Sequence, residues 1–274
     1  MLFIILLFFF LNYIVFYHYN LHYIYYVAYI LAYIPYYFNE RRNRLIVKNL
    51  IEAFPNITNN KINTIKFHSW KFFIMNILIC FNQYLFSNSF LTNYYDNPIV
   101  IPKKAFVALS HLGIYYDFTS IYIFTKKSLC SIYKGYFKLI YRSNFKWKIN
   151  NKYINLIPNK NLDVGLINKY SILVSPIDHA INNIEFKAYG ISLNFLNRKC
   201  SLNNFLIDYA VSDKRDIYFY NVIFQDFKLK VNLIKINQKD KTVEEITREL
   251  AKNIEDNIRK YPEQYFWSHL RFDV

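Results

Sequence analysis

AFVALSHLGIYYDF occupies residues 105–118. The first five residues are apolar, small or β-branched, and read as a buried strand; Ser110 and His111 come directly after it. Gly113 marks a bend, and "YYDFTSIYIF" (115–124) has the spacing of a helix. A strand that runs through a short loop into a helix is the unit from which α/β sheets are built. The same stretch sets an imidazole, His111, six positions before a carboxylate, Asp117. Nothing local decides whether the two work together.

The strand pattern continues downstream. "SLCSIYK" (128–134), "INLIP" (154–158) and "SILVSPI" (171–177) are short apolar runs, with "NLDVGLINKY" (161–170) between the last two as a helix. "GISLNFL" (190–196), "DIYFYNVIF" (216–224) and "FKLKVNLIKI" (227–236) come next, the last two alternating like a half-exposed pair. "TVEEITRELAKNIEDNIRKYPEQ" (242–264) is a strongly amphipathic helix with Thr242 and Glu245 placed as a capping box. Upstream, "IVIP" (99–102) has strand composition, so the sheet is expected to begin near residue 98. Before it, residues 45–54 and 61–86 have helical spacing, separated by Pro55 and a polar turn. His68 and Trp70 fall inside the second helix, where a core role is expected. The fold class is therefore α/β, with helices first and a mixed sheet flanked by helices after them.

The N-terminal end carries a different signal. Residues 1–39 contain no Asp, Glu, Lys or Arg, and Arg41, Arg42, Arg44 and Lys48 come at once after them. "MLFIILLFFFLNYIVFY" is just long enough to span a bilayer. It lacks the basic start and small-residue cleavage site of a signal peptide. Cations after the apolar stretch predict a single anchor with the body on the cytoplasmic side. The tyrosine-rich run 22–38 suits an interfacial helix, with a second membrane-embedded segment as the competing reading. Residues 1–38 are thus expected as anchor and interfacial helix, and 39–274 as one α/β domain.

Composition narrows the partners. The chain has 274 residues and a formal net charge of +15, which attracts nucleic acid, anionic lipid or an acidic carrier protein. No nucleic-acid-binding signature accompanies the charge. Three scattered cysteines, Cys80, Cys130 and Cys200, without a Cys-x-x-Cys pair, argue against a disulfide framework and a cysteine metal site. His18 and His22 have i, i+4 spacing but no third ligand, so no metal is expected. With 27 Tyr, 26 Phe and only 4 Gly, a tyrosine or phenylalanine carries little information here, and a surviving Gly, Trp or Pro carries more.

Two further stretches have the look of a family. One is "RRNRLIVKNLIEAFPNIT" (41–58). The other is "EDNIRKYPEQYFWSHLRF" (255–272), where Pro262-Glu263-Gln264 leads into Trp267-x-His269-x-Arg271. Together with His-x-Gly after a strand, they resemble the bacterial lipid A biosynthesis acyltransferases, the late lauroyl and myristoyl transferases of Gram-negative inner membranes. The resemblance runs nearly the full length and is most specific at the tail. It implies a glycerolipid-acyltransferase-like fold. It also implies transfer of an acyl chain from acyl carrier protein to a hydroxyl of a lipid A precursor, at the inner membrane and without a cofactor. Asp178, Gly190 and Phe195 match the family's segment of an acid after a strand and then a Gly-hydrophobic run. Arg142 is similar to an arginine placed after the second core strand. A relative acting on another phospholipid or glycolipid, or a catalytically silent membrane-associated relative, fits the same features.

The family pattern carries its acid five positions after the histidine, where this chain has Tyr116; Asp117 is one further. One residue is a rotation of about 100° on a helix. A bulge after Gly113 restores the dyad; without it the dyad is lost or rebuilt from other groups. The chemistry expected of His111 is general-base deprotonation of the attacking hydroxyl, with Asp117 orienting the ring. No Gly-x-Ser-x-Gly accompanies Ser110, so the substrate supplies the nucleophile. Backbone amides near Gly113 are the expected oxyanion donors. Arg142, Asp178 and Arg198 are the expected acceptor-binding residues, although a solvated surface fits Arg198 and Lys199 better. His179 beside Asp178 would point to the opposite face of a strand. The tail around Trp267 is expected to be structural.

Overall fold

The computed structural model describes residues 21–85, 95, 100–101, 104–113, 121, 129–133, 154–158, 167–178 and 190–268. Three helices come first: α1 (Leu21–Phe38), α2 (Glu40–Ala53) and α3 (Asn59–Leu85). The Asn39 side chain caps α2 by accepting from the Arg42 amide, which starts that helix five residues earlier than its apolar spacing predicts.

Strands β1 (Ala105–Leu109), β2 (Leu129–Tyr133), β3 (Ile154–Pro158), β4 (Ile172–Pro176), β7 (Asp216–Gln225) and β8 (Lys228–Lys235) form a sheet in the order β3-β2-β4-β1-β7-β8. All neighbours are parallel except β7 and β8, so the sheet is mixed. Strands β5 (Gly190–Phe195) and β6 (Arg198–Asn203) make a separate hairpin, and α4 (Phe205–Ser212) links it to β7. Helix α5 (Val243–Lys260) begins with the Thr242–Glu245 capping box and gives way to a short 3-10 turn, Pro262–Gln264.

Among the described residues the first strand is Ala105–Leu109. Val100 and Ile101 belong to no strand, and Val100 is largely exposed. Strand β6 and helix α4 are additions to the elements read from sequence.

The strands separate two cores by their period of two. Phe106 and Ala108 of β1 join one cluster with Ile246, Leu250, Ile254 and Ile258 of α5 and Phe195 of the hairpin. Ala105, Val107 and Leu109 join the other with Leu21, Ile24, Ala28 and Leu31 of α1 and Met75 and Leu78 of α3. All five β1 residues are buried. A central parallel strand covered on both faces reads as a continuous apolar run rather than an alternating one, which is the pattern of residues 105–109.

With so few glycines, tight turns use other residues. Leu196 and Asn197 between β5 and β6, and Asp226 and Phe227 between β7 and β8, all have positive φ. Asn197 and Asp226 are among the types that enter this region most readily. Leu196 and Phe227 are held there by packing: Leu196 is buried, and Phe227 stacks on His22 at 3.8 Å.

Candidate active site

Adjacent parallel strands β1 and β4 end side by side. From β1 the next strand in the chain, β2, lies beyond β4; from β4 the way to β7 leads to the other side of β1. The chain therefore leaves the two carboxyl ends in opposite directions, which defines a topological switch point, the usual place of a ligand crevice in an open α/β sheet. His111 sits two residues past β1 and Asp178 two residues past β4.

The ladder continues beyond the strands and brings these residues together. Ala105 pairs with Ile172 and Leu109 with Pro176, and the Ile177 amide donates to the Leu109 carbonyl. His111 and Asp178 have the same offset of 67 residues. The His111 Nδ1 lies 2.8 Å from Asp178 Oδ1, and the His111 backbone amide donates to Asp178 Oδ2 at 2.9 Å. Tyr265, in the C-terminal tail, donates its hydroxyl to the same Oδ2 at 3.1 Å. Asp178 is fully buried, and the His111 side chain is 13% exposed.

An ionised carboxylate accepts but cannot donate. With Nδ1–H donating to Asp178, a neutral His111 carries its lone pair on Nε2. The geometry is like that of the base-and-orienter half of a catalytic triad, with the residue gripped at both its backbone and its side chain. Sequence alone gives Asp178 a structural or acceptor-binding role. The structure buries it completely and bonds it to His111 and Tyr265.

The loop after β1 is fastened from three sides. Gly113 adopts φ +68°, and a β-carbon there would stand 1.9 Å from the Val222 carbonyl oxygen. Its amide donates to the Gln264 carbonyl at 3.0 Å, and its carbonyl accepts from Asn76 Nδ2 of α3 at 2.8 Å. The Phe266 amide donates to the His111 carbonyl. Of the backbone amides near Gly113 that were expected as oxyanion donors, the Gly113 N–H is committed to the tail and the His111 N–H to Asp178. The Ser110 hydroxyl is buried next to the pair and makes no hydrogen bond among the described residues.

The tail that grips this loop is itself anchored. Gln264 exchanges two hydrogen bonds with the Phe224 backbone, at 3.0 and 2.8 Å. Ser69 donates to the Tyr265 carbonyl, Asn49 to the Trp267 carbonyl and Arg42 to the Ser268 carbonyl. Trp267 is buried, donates its indole N–H to the Pro262 carbonyl and packs edge-on against Phe54 and Tyr265. Parts of residues 41–58 and 255–268 thus meet in one cluster behind the histidine loop.

Arg198 reaches back to α2, pairing with Glu52 and donating to Asn49 Oδ1 at 3.2 Å. It is largely buried rather than solvated, because Asn49 and Glu52 offer it acceptors, whereas Lys199 is exposed. Trp70 is a core residue and donates to Asn43 Oδ1. His68 is half-buried, and burial with two nearby lysines holds its imidazole down to about 4. Burial pushes the Cys200 thiol up to about 11, which makes it unreactive. Among the described residues no group of three or more His, Cys, Asp or Glu side chains gathers as a metal site. Tyr116, Asp117, Arg142, His179, His269, Arg271 and His18 lie outside the described residues.

The sequence matches no family model and no curated protein.

Proposed function

We propose that the protein is a membrane-associated O-acyltransferase, with His111 as general base and Asp178 as the acid that orients it. The observation that carries this reading is the 2.8 Å contact between His111 Nδ1 and Asp178 Oδ1 at the carboxyl ends of adjacent parallel strands. By its resemblance to the lipid A late acyltransferases, the donor is an acyl thioester on acyl carrier protein. The acceptor is a hydroxyl of a lipid A precursor at the cytoplasmic face of the inner membrane. The +15 charge suits both an acidic carrier and a phosphorylated lipid. The fold is the glycerolipid-acyltransferase type.

In this mechanism the acceptor hydroxyl gives its proton to His111 Nε2 as its oxygen attacks the thioester carbonyl. Asp178 holds the ring and stabilises the imidazolium. Collapse of the tetrahedral intermediate expels the carrier thiolate, which takes the proton back from Nε2. An ester and a free carrier thiol result.

No helix among the described residues is long and apolar enough to cross a membrane. The anchor in this reading is the apolar stretch at residues 1–17, and α1 lies at the interface. The test is incubation of the full chain with acylated carrier protein and a hydroxyacyl glycolipid, read by mass spectrometry. Gain of one acyl chain on the glycolipid supports the reading. Transfer to glycerophospholipid alone moves the acceptor class, and no transfer to either overturns the assignment.

A further inference from the structure

The ladder between β1 and β7 breaks beside His111. Ala108 pairs with Phe219, and the next bridge between the two chains among the described residues joins Gly113 to Val222. Between these pairs the β1 side advances five residues and the β7 side three. Extra residues on one chain make a bulge and leave part of it off the ladder. On the β4 side the register holds longer, since the Ile177 amide donates to the Leu109 carbonyl. Ser110 is therefore still in line with the strands, and counting on from Ala108 and Phe219 sets it across from Asn221.

Both residues continue the face of the sheet that packs on α5. Ser110 follows Phe106 and Ala108, and Asn221 lies between Phe219 and Ile223, all members of that core. Ser110 is 2% exposed and Asn221 3%. The Ser110 Oγ, the Asn221 Nδ2 and the Asn221 Oδ1 make no hydrogen bond among the described residues. A hydroxyl and an amide each donate and accept, and burying them unpaired in an apolar layer is costly. On the other flank of β7, Asn221 stands opposite Asn232 of β8, whose Nδ2 donates to Asn257 Oδ1 of α5 at 3.3 Å. Asn232 and Asn257 are half-buried. A row of polar side chains thus crosses an apolar face, from the bulge that carries His111 towards solvent.

We propose that Ser110 and Asn221 form an internal hydration site, in which one water molecule bridges the Ser110 hydroxyl and the Asn221 amide and exchanges with solvent along Asn232 and Asn257. Internal waters bind the buried polar groups that the chain leaves unpaired, and a bridging water is nearly as favourable as a direct hydrogen bond. The bulge supplies the room, and the two side chains supply donors and acceptors from adjacent strands. Seated there, the water ties the His111 loop to β7. The site needs no acyl substrate and stands apart from the chemistry assigned to His111.

The test reads the water and its coupling. In the purified full chain with 15N-labelled asparagine, the side-chain amide protons of Asn221, identified by their loss in Asn221→Leu, are expected to cross-relax with a bound water. Ser110→Ala is expected to remove that signal. Ser110→Ala and Asn221→Leu should each lower the melting temperature by a few degrees, and the double variant should melt no lower than the worse single variant. Absence of a water signal at Asn221 in the parent overturns the proposal, whether or not the variants fold. So do melting temperatures that stay level or rise in both single variants, the behaviour of a dry pair, because taking unpaired polar atoms out of an apolar layer is neutral or stabilising. Losses that add in the double variant exclude one shared water and overturn it as well.

Discussion

Asp178 Oδ1 lies 2.8 Å from His111 Nδ1, and the two residues keep the register that pairs β4 with β1. The contact is thus a product of the sheet: two parallel strands end level with each other, and the residues just past their ends meet.

His111→Ala is expected to abolish acyl transfer. Asp178→Asn leaves the ring without its carboxylate and presents an amide to Nδ1, so kcat should fall on the order of 10³–10⁴. Steady-state rates on the two variants and on Asp117→Asn test the assignment. A greater loss in Asp117→Asn than in Asp178→Asn would hand the orienting role to Asp117.

Tyr265→Phe removes one of the hydrogen bonds on the buried carboxylate and keeps the ring. A hydrogen bond to a charged group contributes about 1.5–3 kcal/mol. Thermal unfolding should shift down accordingly, with kcat reduced and KM little changed. Unaltered stability and turnover would show that Tyr265 does not support Asp178.

Gly113→Ala places a methyl group into the Val222 carbonyl at a positive φ. Strain and overlap are expected to cost at least about 3 kcal/mol and to lower folded yield. Because the loop links β7, α3 and the tail, loss of yield should accompany loss of activity. A stable, active Gly113→Ala protein would contradict the packing described.

Two groups of α3 make stability depend on pH. His68 titrates at about 4 in the fold against an ordinary 6.5, so the unfolded chain takes up the proton first. Stability should fall as pH drops from about 6.5 towards 4. The loss should stay below about 3 kcal/mol, since the ring keeps some contact with screening solvent. Burial lowers Lys71 to about 8 from 10.5, with Glu263 opposing the shift. Its penalty is fully present below pH 8 and fades as pH rises towards 10.5, so stability should increase over that window. Melting temperatures of the parent, His68→Gln and Lys71→Met across pH ~4 to ~10 would check both limbs, each variant flattening its own.

Much of the α/β pattern is legible in residues 105–236, because buried strands leave short apolar runs; the capping box of α5 is legible as local chemistry. Val100 and Ile101 mislead because strand composition does not by itself make a strand. The residues of β6, "RKCSLN", are mostly polar, and α4 is only eight residues long, too short for a clear period. At the site, His111 is visible at the end of its strand, and Asp178 at the end of another, but their pairing is not.

Periodicity, backbone preference and charge act over a few residues. They suffice for the alternation of strands and helices, the histidine and acid at strand ends, the bend at Gly113, the uncharged N-terminal region and the cations behind it. Long-range packing had to add that β4 inserts between β1 and β2, that His111 therefore meets Asp178, and that Tyr265 closes the group from the tail. Strand order depends on which faces bury best across the whole sheet, over separations of 67 and 87 residues, and no local pattern carries that information.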